Sequence, residues 1–126
     1  MAADFSKTNL RELDDMAPKF GLPEGFEARF AKRALQASEL AVSIQKFGRN
    51  QVSPFAHRHS EQPEELYVVV AGSGTIMLDG EGVELAPWDV VRVAGPVTRS
   101  FAAGPDGLEL LAFGRSGPSD AEIVQL

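Results

Sequence analysis

The dipeptide Asp79-Gly80, set inside "GSGTIMLDGEGVEL", limits this chain more than any other feature. Asp-Gly suits the two central positions of a tight hairpin, where both residues need positive φ, so apolar runs on either side predict paired strands. The same grammar extends in both directions. "FEARF" alternates through Phe26, Ala28 and Phe30 as an edge strand, and "LAVSIQKF" sets Leu40, Val42 and Ile44 on one face. "ELYVVVAG" is too rich in β-branched residues for a solvent-facing strand and reads as central. "DVVRV", "VTRSF" and "LELLAF" follow, separated by "AGP" and "GPDG". About six to eight short strands at intervals of about 8 to 12 residues give an all-β sandwich or barrel. Helical signal is confined to the start, where Asn9 and Glu12 form a capping pair for a short helical turn over Leu10 to Leu13. "APKFGLPEG" then reads as loop. The expected organisation is an N-terminal extension over 1–25, a β-domain over 26–114 and a tail over 115–126. Within that tail "EIVQL" can add a strand to this chain or to a neighbour.

A chain of 126 residues suits one domain with a real core. It has no cysteine, which excludes disulfides, thiolate metal sites and thiol catalysis. A formal charge of -6, with no basic stripe, argues against nucleic acid as a partner. No run reaches the roughly 18 apolar residues of a membrane span. "MAADFSKTNLRELDD" shows neither a basic start nor an apolar signal core, so the expected location is the cytoplasm.

Chemistry concentrates in "PFAHRHSEQPEELYVVVAG", which holds both histidines of the chain, His57 and His59. On a strand these two share a face while Arg58 points the other way. Imidazole is the commonest metal-binding side chain, and one carboxylate from an adjacent strand completes a facial two-His-one-carboxylate set. The stretch "SEQP" is long enough for a reversal, so Glu64 or Glu65 can come back beside the histidines. The residues alone leave two readings open: a metal pair, or two ordinary histidines near a solvated acidic run.

These residues resemble the first motif of the cupins, small double-stranded β-helix (jelly-roll) barrels. That motif runs His-x-His, three or four residues, Glu, six residues, Gly. His57-Arg58-His59 matches the pair, and counting six residues back from Gly72 selects Glu65. Five residues rather than three or four separate His59 from Glu65, Pro63 being the extra one. The place of the second motif falls on "WDVVRVAGPVTRSFAA", where Trp88, Ala94, Pro96, Arg99 and Ala103 stand at its signature positions. The resemblance implies His57, His59 and Glu65 as ligands of a divalent ion such as Fe, Mn, Ni or Zn. It puts Arg99 where the family has a fourth ligand.

A guanidinium has no free lone pair and cannot ligate a metal. Three roles are therefore open to Arg99: gripping an anionic group of a substrate beside the metal, neutralising Glu65 in a metal-free pocket, or facing solvent at the barrel mouth. Val97, Arg99 and Phe101 share a strand face, and Tyr67 and Val69 share that of Glu65. Arg99, Tyr67, Phe101 and Gln62 are accordingly the expected substrate-binding residues, with core packing and a solvated turn as the plainer readings of Tyr67 and Gln62. Trp88 either caps the pocket or packs at a turn. The resemblance implies a metal-dependent enzyme of dioxygenase, isomerase, decarboxylase or cyclase type acting on a small anionic molecule. The alternative is a non-catalytic small-ligand-binding cupin. A homodimer is expected, since the apolar faces of "LELLAF" need cover.

Overall fold

The structure, a computed structural model, describes residues 4–115 and 120–126. Eight strands lie among these residues: β1 (Glu27–Phe30), β2 (Leu40–Phe47), β3 (Phe55–His59), β4 (Glu64–Leu78), β5 (Glu81–Leu85), β6 (Val90–Ala94), β7 (Arg99–Arg115) and β8 (Ala121–Gln125). All observed pairings are antiparallel, in the order β1-β2-β7-β3-β8, with β4 joining β7 to β5 and β6. Among the described helices none is long and apolar enough to cross a membrane.

The curl of this sheet is set by its two long strands. Leu66 to Gly72 of β4 pair with Leu108 to Phe113 of β7, and Gly74 to Leu78 pair with Arg99 to Ala103. Register breaks at Gly72 in β4, while "GPDG" of β7 falls between the two paired segments. Gly72 and Gly107 both have positive φ, 76° and 78°. A Cβ on Gly72 would stand 2.1 Å from Gly107 O, so the bend needs bare backbone there. The strands expected separately in "ELYVVVAG" and "GSGTIML", and in "VTRSF" and "LELLAF", are thus two halves of one bent strand each.

Asp79 and Gly80 form the expected hairpin between β4 and β5, with φ of 50° and 86° and Leu78 opposite Glu81. Asn9 caps a 3-10 turn over Leu10–Glu12, its side chain accepting from Arg11 N at 2.9 Å. A second such turn covers Pro18–Phe20 in the expected loop. One expectation changes. Helix is not confined to the start: "KRAL", all good helix formers, makes a single turn over Lys32–Leu35 that stops at Gln36 in the left-handed region. Leu40, Val42 and Ile44 share one face of β2 as expected; it is the outer face, with Leu40 largely exposed and Ile44 covered, while Phe47 enters the core. Within the tail, "EIVQL" adds a strand to this chain: β8 pairs with β3, so that Ala121 faces His59 and Ile123 faces His57. Strand β3 would otherwise leave its backbone groups unpaired along that edge, and β8 satisfies them.

The core gathers Ile76, Val93, Leu108 and Leu110 around a row of aromatic rings. Phe26 meets Phe47 at 5.4 Å between centroids, Phe47 meets Phe101 at 5.5 Å, and Phe101 meets Tyr67 at 5.1 Å. These tilted and edge-on contacts suit the aromatic quadrupole. The N-terminal segment is strapped to β1 by Asp15, whose Oδ1 accepts from Ala17 N and Ala28 N, each at 3.0 Å. Those two amides hold the Asp15 carboxyl below its usual range.

Candidate metal centre

Strand alternation turns His57 and His59 inward and Arg58 outward, where its Nε pairs with Glu122 of β8 at 2.8 Å. The chain then reverses through Ser60 to Pro63 and enters β4 with Glu65 facing the histidines. This reversal rests on the turn at Ala94-Gly95: His59 N donates to Gly95 O at 2.8 Å, and Gly95 N donates to Pro63 O at 3.0 Å. A Cβ on Gly95 would lie 1.9 Å from Gln62 O.

Glu65 Oε1 is the hub. Tyr67 donates its hydroxyl to it at 2.6 Å, Arg99 Nη1 donates at 3.0 Å, and the Nε2 atoms of His59 and His57 stand 3.2 and 3.8 Å away. Burial pushes this carboxyl up, but the neighbouring His57, the Tyr67 hydroxyl, His59 and the Arg99 guanidinium outweigh it and hold Glu65 at about 2. Tyr67, almost wholly buried, moves the other way: burial and the adjacent Glu65 charge raise its hydroxyl well above the usual value. Arg99 is 0% exposed. Its Nη2 donates to Ala94 O at 2.7 Å, and its Nε has no hydrogen-bond partner. Burial excludes the reading in which Arg99 faces solvent.

Sequence reasoning missed Asp120. Its Oδ1 lies 2.8 Å from His59 Nδ1, while its Oδ2 accepts from Glu61 N at 2.6 Å and Gln62 N at 2.7 Å. Burial raises the Asp120 carboxyl, but His59 and the two amides overcome it and hold it far below the carboxylate range. No motif spacing points to residue 120. The usable signal was chemical: a ligating imidazole needs an acceptor for its other nitrogen.

The three donors fit a divalent ion. One ligand atom each from His57, His59 and Glu65 lies within 4.8 Å of the others. Two donors about 2.1 Å from one ion stand about 3 to 3.5 Å apart, close to the His59–Glu65 separation. The Nε2 of His59 is buried without a hydrogen-bond partner. With Nδ1 donating to Asp120, the neutral ring leaves its lone pair there, which is the state a metal requires. Arg99 opposes a cation at Glu65 by its charge, so any ion shares that carboxylate with a guanidinium.

Beside these groups lies a cavity of ≈ 80 Å³, walled by Phe26, Phe47, Phe55, His57, Arg99 and Phe101. Of the expected substrate-binding residues, Arg99 and Phe101 reach this wall. Tyr67 stands behind Glu65, packed on Phe101. Gln62 is turned to the end of β7, its Oε1 accepting from Arg115 N at 3.1 Å. Trp88 is 73% exposed, in the turn before β6 with φ of 72°, away from the cavity wall.

No protein-family model matches the chain. Over 82 residues, 64% of its length, it is 32% identical to the dimethylsulfoniopropionate lyase DddW of Ruegeria pomeroyi, and it spans 51% of that protein. Its fold matches a cupin protein from Bacteroides fragilis with a TM-score of 0.71 at 24% identity, covering 98% of this chain and 99% of the other. The polyketide cyclase RemF from Streptomyces resistomycificus superposes with a TM-score of 0.75 at 15% identity, over 96% and 84% of the two chains.

Proposed function

The chain is a small β-barrel with the cupin fold, and on that premise we propose that it is a metal-dependent enzyme acting on a small anionic organic molecule. The observation that carries this reading is the Nε2 of His59, buried without a hydrogen-bond partner and 3.2 Å from the Glu65 carboxylate. His57, His59 and Glu65 would hold the ion, which when bound supplies a Lewis-acid charge for a substrate oxygen. Phe26, Phe47, Phe55 and Phe101 give the cavity an apolar wall against which the apolar part of the substrate would pack. Tyr67 keeps its proton and directs it at Glu65, and Arg99 holds that carboxylate ionised. The lyase and cyclase activities named for DddW and RemF support small-molecule chemistry of this kind.

Protein purified without chelator and dialysed against Mn, Fe, Ni or Zn should keep close to one equivalent of metal. His59→Ala and His57→Ala should each lose it. Wild-type protein that retains none of the four overturns the reading.

A second reading is favoured by the Arg99–Glu65 contact at 3.0 Å: a metal-free pocket that binds a small ligand without converting it. It requires metal-free protein to bind a small anionic ligand equally well in the wild type and in His59→Ala. We also assign a second copy of the chain to the outer sheet face. Cross-strand rows Val42–Phe113–Leu66 and Ile44–Leu111–Val68–Val90 line that face and leave apolar surface to cover. Phe113→Glu should shift the mass measured by light scattering from dimer to monomer.

A further inference from the structure

Asp120 engages the histidine turn at three points, which is more than one capping side chain needs. One oxygen meets His59 Nδ1 at 2.8 Å, and the other collects the amides of Glu61 and Gln62 at 2.6 and 2.7 Å. A fourth contact is backbone, Ser60 N to Asp120 O at 3.4 Å. Asp120 thus fixes both the ring of His59 and the reversal that returns the chain to Glu65. The strand that delivers it, β8, pairs with β3 alone among the described residues, and its side chains are mostly exposed.

We propose that Asp120 is a positioning residue of the candidate metal centre, delivered by the C-terminal strand, and that docking of β8 and metal binding are coupled through it. The inference rests on the metal-binding reading above. An imidazole has two nitrogens and, when neutral, one proton. A carboxylate at Nδ1 keeps the proton on that side, so Nε2 presents a lone pair towards Glu65 and His57 without first losing a hydrogen. Without the carboxylate, the ring is free to hold its proton at Nε2 and to rotate, and both states must be undone before a metal can bind. Coupling is reciprocal: whatever holds β8 in place favours the ion, and the ion favours docked β8 by the same factor.

The test uses the full chain in metal-free form first. Long-range nitrogen-proton NMR spectra report which ring nitrogen of His59 carries the proton. In the wild type this should be Nδ1. In Asp120→Ala it should move largely to Nε2. Affinity for Zn, measured by competition with a chromophoric chelator, should fall about 10- to 100-fold in Asp120→Ala. Hydrogen exchange at the amides of β8 should slow when Zn is added to the wild type. An unchanged His59 tautomer in a folded Asp120→Ala overturns the positioning role, even if the Ser60–Gln62 turn loosens. Unchanged Zn affinity, or β8 exchange indifferent to Zn, overturns the coupling. Absence of Zn binding in the wild type overturns the metal reading instead, and the tautomer measurement still decides the role of Asp120.

Discussion

Strands β3 and β4 on one side of the site and strand β7 on the other supply different kinds of group to the same carboxylate. From β3 come two imidazoles, and β4 adds Glu65 and the Tyr67 hydroxyl, each able to give or accept an electron pair or a proton. From β7 comes Arg99, a fixed cation whose two Nη groups are engaged by Glu65 and Ala94 O. His57 and Arg99 are direct cross-strand partners, so the two chemistries meet at one rung of the sheet. The difference teaches that a candidate metal site can have a guanidinium on one wall and be electrically balanced without any ion. Glu65 has a counter-charge in either case, and metal is then an exchange of partners rather than a requirement for folding.

Breaking the balance at Glu65 should have the largest effect. Glu65→Ala leaves Arg99 buried with no acid and should cost about 3 to 5 kcal/mol in urea unfolding. Changing both partners, Glu65→Leu with Arg99→Met, should cost less than Glu65→Ala alone, and a larger cost would contradict the pairing. Arg99→Met by itself should cost about 2 kcal/mol, less because Tyr67 and both imidazoles still face Glu65. In that variant, added metal should raise the thermal midpoint more than it does in the wild type. Tyr67→Phe keeps the ring against Phe101 and removes only the hydroxyl to Glu65, a loss of about 1.5 kcal/mol by the same unfolding measurement.

Asp15 lies outside both walls and serves as the reference for an ordinary structural carboxylate. Its folded pKa is lowered, so its contribution is present above the unfolded value near 3.8 and disappears as pH falls through the folded one. Asp15→Asn should therefore be less stable than the wild type by about 1 kcal/mol at pH 7, discounted for partial exposure. The two unfolding curves should converge towards pH 2. A gap that widens in acid would refute the role of its two amide bonds.

The fold was legible because turn chemistry is local. Asp79-Gly80 names its own dihedral angles, and "GPDG" names a break in pairing, whatever surrounds them. The resemblance to the cupin motif selected Glu65 over Glu64 by counting back from Gly72, the glycine at which β4 bends. Other features were not legible because they depend on neighbours far along the chain. The inner face of β2 cannot be read from Leu40, Val42 and Ile44, because the outer face is also apolar. Asp120 lies 61 residues from His59 and reaches it only once β8 has paired with β3. Arg99 was placed at the site by motif position, yet its choice among three roles turned on burial, which no local pattern records.

Gly95 carries a consequence for anyone rebuilding this centre. Bare backbone separates its turn from the histidine reversal, and the two are joined by amide-to-carbonyl bonds that no side chain mediates. The mounting that aims residues 57, 59 and 65 therefore has a backbone part, to which Asp120 adds bonds at the reversal and Arg99 adds bonds at the Ala94-Gly95 carbonyls. A single methyl group at 95 would unseat the mounting while every donor stayed in place.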